Sequence, residues 1–111
     1  PQYVTLSDGS IRNAYDLRLR NMQGEDRVFA VSASSLATFL LSFDGTDDLN
    51  IVVPANETKT VRLFVTAPLE TLAVDAERTD LRLWIMDMGP DGTAVDPLRI
   101  HYDTVFYGKA D

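Results

Sequence analysis

Apolar and polar positions alternate through residues 11–20. Ile11, Asn13, Tyr15, Leu17 and Leu19 share one phase; Arg12, Asp16, Arg18 and Arg20 share the other, with Ala14 the one apolar residue in the polar set. A period of two over this length predicts a β-strand with one dry face and one wet face. A tight turn, Ser7-Asp8-Gly9-Ser10, separates it from a short strand before it, and Asn21 opens the next turn with Gln23 and Gly24. Two later segments repeat the pattern. Val61, Leu63 and Val65 face one way, with Arg62 and Thr66 opposed and Phe64 among them. Leu81, Leu83 and Ile85 alternate with Arg82, Trp84 and Met86, so this strand is either buried on both sides or has Trp84 covering an open edge.

Eight strands are predicted in all, at residues 2–6, 11–20, 27–33, 38–43, 49–53, 60–67, 80–87 and 98–107. The breaks carry turn chemistry: Asp44-Gly45, Pro54-Ala55-Asn56-Glu57 and Gly89-Pro90-Asp91-Gly92 tolerate left-handed or tightly bent backbone. Many short strands at this spacing indicate an all-β fold, an immunoglobulin-like antiparallel β-sandwich of seven to eight strands. Residues 68–80 have approximate helical spacing at Leu69, Leu72, Ala73 and Ala76, and are read as a loop with one helical turn. The expected core is Tyr15, Leu17, Leu19, Val61, Leu63, Val65, Leu83 and Ile85. Asn13 stands on the apolar face, where an amide needs partners for its donors and acceptor, so it is expected to be structural and to bind backbone groups of an adjacent turn. Gly9 and Tyr15 are the other expected structural positions.

Composition narrows the functions. One domain of 111 residues with 45% hydrophobic residues can bury a core without staples. The absence of cysteine excludes disulfides, thiolate metal sites and cysteine-held iron–sulfur clusters from this chain. A net charge of −7 disfavours nucleic acid, whose binding needs clustered Lys and Arg, and anionic lipid for the same reason. No apolar run reaches the roughly 20 residues that span a bilayer, so no direct membrane insertion is expected. The chain opens at Pro1 without an initiator methionine, and is read as a single domain, 1–111, excised from the C-terminus of something larger.

Candidate chemistry is sparse. His101 is the one histidine, which rules out a multi-histidine metal site or an ordinary catalytic triad; Asp103 shares its strand face and could orient it. No motif places a nucleophile near it, so no catalytic residue is expected. Asp44, Asp47 and Asp48 gather in one loop but lack the spaced ligands of a calcium cage, and read as solvated turn residues.

The segment LSDGSIRNAYDLRLRNM at 6–22 resembles the start of the C-terminal immunoglobulin-like domain of the FixG/CcoG/RdxA family. Val52-Val53-Pro54, the run 62–68 (RLFVTAP) and the closing 104–108 (TVFYG) fit the same pattern in order. The resemblance implies a membrane-bound iron–sulfur protein assisting assembly of cbb3-type cytochrome oxidase and copper handling, with its clusters outside this domain and the full protein an oxidoreductase. It implies a non-catalytic accessory module with no cofactor of its own, on the periplasmic side of the bacterial inner membrane. The implied partners are the membrane part of its own chain, an oxidase-assembly protein, or a second copy. Against that background Met86, Met88 and His101 form an alternative: a small Cu(I)-binding domain, since thioethers suit Cu(I). Alternation puts both sulfurs on one strand face about 7 Å apart. The simpler reading packs Met86 over the core and Met88 at a strand end.

Overall fold

A strand with one dry face is stable only when a second layer covers that face. The computed structural model, which describes residues 2–46 and 48–109, supplies that layer. In chain order the elements are β1 (Val4–Thr5), β2 (Ile11–Arg20), β3 (Arg27–Ser34), β4 (Leu40–Phe43), β5 (Asn50–Val53), β6 (Thr58–Ala67), α1 (Leu72–Asp75), β7 (Arg78–Asp87) and β8 (Leu98–Tyr107). They form two antiparallel four-stranded sheets, ordered β1-β2-β6-β4 and β5-β3-β7-β8. Every connection from β2 to β7 crosses between the sheets, while β1-β2 and β7-β8 are hairpins.

The core lies where the inner faces meet. Ile11, Leu17 and Leu19 of β2, Leu63, Val65 and Ala67 of β6, and Phe43 of β4 face Phe29 and Val31 of β3, Ile51 and Val53 of β5, and Leu81, Leu83 and Ile85 of β7. Each large side chain removed from water contributes about 1.5–3 kcal/mol. Tyr15 and Val61, expected in this set, are only half-buried at its rim. Tyr15 falls short because its hydroxyl reaches sideways to β8, as described below.

The expected strands are all present, with shifted bounds. The first shrinks to two residues, paired with Arg12 and Ile11, and the fourth begins at Leu40. Residues 68–80 hold the single helical turn α1, whose Ala73 and Val74 are buried. Trp84 does not cover an open edge: β7 has β3 on one side and β8 on the other, and the indole lies half-buried on the outer face.

The Ser7–Ser10 turn closes by backbone bonds from Gly9 N–H to Leu6 O (3.0 Å) and from Leu6 N–H to Ser10 O (2.9 Å). Gly9 has φ 87°, a left-handed conformation that disfavours any side chain, and its Cα faces the methyls of Leu69.

Candidate functional site

Strand β8 is the unusual element. Its last residues are held tightly: Phe106 is fully buried, with its ring 4.7 Å from that of Phe39. Its first six residues, from Leu98 to Asp103, are exposed on both faces. Pairing with β7 places Ile100 and Tyr102 opposite the buried Ile85 and Leu83, so they belong to the inner face of the sheet. They stay exposed because the other sheet stops short. There β1 has only two residues, and β2 is the last long strand on that side. The result is an apolar flank in which Leu98, Ile100 and Tyr102 are 82%, 56% and 50% exposed.

The two sheets are tied together at the upper end of this flank. Asn13 Nδ2–H donates to Tyr107 O (2.9 Å), and Tyr107 N–H donates to Asn13 Oδ1 (2.8 Å). Tyr15 O–H donates to Val105 O (2.6 Å). Asn13 is buried, and its partners belong to the last strand in sequence rather than to an adjacent turn. Burial, with Tyr107 nearby, pushes the Tyr15 phenol well above its ordinary pKa and keeps it a neutral donor.

The outer face of the same sheet carries a polar–aromatic stack. Trp84 lies opposite His101, with ring centroids 5.0 Å apart. Arg99 and Arg82 place their guanidinium carbons 4.6 and 5.7 Å from the indole centroid. Arg82 also grips Asp103 through Nε–H to Oδ1 (2.6 Å) and Nη2–H to Oδ2 (3.1 Å), and the Trp84 indole N–H donates to Ser34 Oγ. The Arg82 bonds hold the Asp103 carboxyl below its usual range.

Met86 and His101 share this outer face but not a position along it: Met86 lies opposite Arg99, and His101 opposite Trp84. Met88 has left the ladder beyond β7, its N–H bonded to Val28 O. The groups beside Met86 and His101 are thus an indole and a guanidinium, and two cations already occupy the indole. Among the described residues, no group of three or more His, Cys, Asp or Glu side chains is placed to hold a metal. In the acidic loop, Asp48 Oδ1 accepts from Asn50 N–H, and Asp47 lies outside the described residues.

Two residues have structural roles that the sequence reading does not assign: Asn21, which there only opens the turn with Gln23, and Gly108, which there is only part of the closing run. Asn21 is buried and spends its side chain on the backbone: Nδ2 donates to Glu25 O, Val53 O and Pro54 O, and Oδ1 accepts from Gln23 N–H. Its signal was available, since Asn21 continues the apolar phase of residues 11–19 with a polar group. Gly108 packs against α1, and a Cβ there would sit 2.2 Å from Ala76 O and 2.3 Å from Ala73 O. That crowding has no sequence signal, because it depends on where α1 docks.

Comparison with known proteins agrees with the fold. A crystal structure of a FixG-related protein from Vibrio parahaemolyticus superposes with a TM-score of 0.71, covering 91% of this chain and 82% of that one at 16% identity, which supports the shared fold. Protein RdxB of Cereibacter sphaeroides is 50% identical over all 111 residues, and protein RdxA of the same organism is 49% identical over 96 residues. The nitrogen fixation protein FixG of Rhizobium meliloti is 34% identical over 61% of the chain. The chain spans 22%, 20% and 14% of the lengths of these three relatives. The family model described as "IG-like fold at C-terminal of FixG", whose description calls the parent a proposed oxidoreductase, matches residues 1–109. With that match across nearly its whole length, the chain belongs to the family of immunoglobulin-like domains found at the C-terminus of FixG.

Proposed function

We propose that this domain is a non-catalytic contact module of a FixG-type membrane protein that assists assembly of cbb3-type cytochrome oxidase and its copper handling. In this reading the parent carries iron–sulfur clusters elsewhere, and the domain stands on the periplasmic side of the bacterial inner membrane. It docks on the membrane part of its own chain or on an oxidase-assembly protein. The observation that carries the proposal is at one end of the sandwich. Leu36, after β3, and Leu72, in α1, are almost fully exposed, with Leu69 half-exposed nearby in sequence. Both loops lie at the end where β7 begins, since Ser34 pairs with Arg82 and the 68–77 link feeds Arg78. Exposed leucines on turns add nothing to the domain's own core, whereas burying them against another surface contributes to association. Among the described residues no helix is long and apolar enough to cross a membrane.

The test places Leu36→Asp and Leu72→Asp in the full-length parent and measures oxidase activity and parent abundance in membranes. The expected result is lost oxidase activity with the isolated domain still folded. Full oxidase activity with both substitutions present would overturn the docking role.

A further inference from the structure

We infer that the exposed half of β8 is a self-pairing edge: two copies of this chain join antiparallel along β8, about a two-fold axis at His101. This rests on the reading of the domain as a contact module and names one of its partners as a second copy.

The hydrogen-bonding pattern picks out the segment. In an antiparallel strand the N–H and C=O of one residue point to the same side, and successive residues alternate. Tyr107 uses both groups, and Val105 its carbonyl, toward side chains of β2 and not toward β7. The odd-numbered residues therefore face the free edge. Asn13 and Tyr15 cover Tyr107 and Val105, and the cover ends there. At the other end Pro97, just before β8, has no N–H to offer. Between these limits Arg99, His101 and Asp103 present backbone donors and acceptors at the end of the sheet, with no neighbouring strand among the described residues. A long bare edge of this kind is a template for another strand. The other edge strands β1, β4 and β5 have two, four and four residues.

Charge then selects the occupant and the register. With His101 opposite His101 of the second copy, Arg99 of each chain lies opposite Asp103 of the other, and both are side chains of the outer face. Directly opposed unlike charges support an antiparallel pair. All three positions are edge-facing, so they form the closely bonded pairs of a regular ladder. On the inner side Ile100 meets Tyr102 of the second copy, covering the apolar flank. Sliding the strands by two residues either sets Val105, already bonded to Tyr15, opposite Arg99 or sets Pro97 opposite Asp103, and both forfeit the ion pairs. The free edge of β2, which begins beyond the two residues paired with β1, is a poor rival, since its outer row there holds Arg18 and Arg20 against Asp16 alone.

Sedimentation velocity of the 111-residue chain from micromolar to millimolar concentration tests this. The wild-type chain is expected to dimerise. R99D and D103R, each folded by circular dichroism, are expected to be monomeric alone and to form dimers when mixed, because the charges then oppose correctly again. Hydrogen exchange on the wild-type chain gives a second reading. The amides of Arg99, His101 and Asp103 should exchange about tenfold more slowly at high than at low concentration. A chain monomeric throughout would overturn the inference and leave the edge for a strand of another protein. So would a dimer that survives both substitutions, folded variants that fail to pair on mixing, or exchange at these amides that ignores concentration. None of these results bears on Leu36 and Leu72, whose test reads oxidase activity in the parent.

Discussion

Asn13 does with one side chain what a neighbouring strand would do with its backbone. Its amide donates to and accepts from Tyr107, a closed two-bond pair across the gap between the sheets. Leucine at this position would fill similar space while leaving the part-buried N–H and C=O of Tyr107 without these partners, each costing up to about 1–3 kcal/mol. Asn13→Leu is therefore expected to destabilise the domain by about 2–4 kcal/mol. Tyr15→Phe removes one exchangeable hydrogen bond at a half-buried rim, for about 1 kcal/mol. Urea unfolding of both variants checks the order. A loss for Asn13→Leu smaller than that for Tyr15→Phe would mean the Asn13 pair is not what joins β2 to β8. Asn21 follows the same logic at the other end of β2, where one amide serves the carbonyl of Glu25 in the following turn and those of Val53 and Pro54 at the end of β5. In both cases a polar residue in the apolar phase of the strand marks a place where backbone is bound by side chain.

At the scale of elements, the last turn of chain is fixed by close packing. Lys109 N–H bonds to Val74 O (2.9 Å) and Gly108 N–H to Glu77 O (3.3 Å), so the end of β8 is stitched to α1. Only a residue without Cβ fits at 108, where three carbonyl oxygens crowd within 2.8 Å of the position a Cβ would take. Gly108→Ala must push the helical turn off the strand, and is expected to cost at least about 2 kcal/mol as an overpacking substitution. Gly24→Ala is the control: nothing lies within 4 Å of its Cβ position, and the change is expected to stay within about 0.5 kcal/mol. Thermal melting of the pair checks this, and equal melting temperatures would show that α1 is not docked as described. The β2–β6 pair is the other element-level unit. Leu63 is fully buried opposite Tyr15, whereas Val61 lies at the rim opposite Leu17. Leu63→Ala should cost about 2–5 kcal/mol. Val61→Ala should cost less than half as much, since fewer atoms close around it; denaturant midpoints that rank the two the other way would misplace the inner face of β6.

Across the whole molecule, the sandwich is closed on one side and open on the other. The inward set of β2, β6 and β7 was legible because a period of two, once its apolar phase is known, leaves only one way to turn each strand. The Asp-Gly and Gly-Pro turns were legible because left-handed or fixed-φ backbone selects those residues locally. The same reasoning cannot distinguish β8 from β2. Leu98, Ile100 and Tyr102 alternate with Arg99, His101 and Asp103 as cleanly as Leu17 and Leu19 alternate with Arg18 and Arg20, yet Leu17 and Leu19 are buried and Leu98 and Ile100 are not. Alternation specifies which side chains point to one face of a sheet. Whether anything covers that face depends on how far the opposing sheet extends, and here β1 ends after two residues. The sequence by itself thus determined the strands, their inward faces, the turns and the family resemblance, all of which arise from local sterics and patterning. The tertiary structure alone decided the partners of Asn13, the need for glycine at 108, the separation of Met86 from His101 by register, and the bare edge of β8. Each of these depends on distances between residues far apart in the chain, which no local pattern encodes.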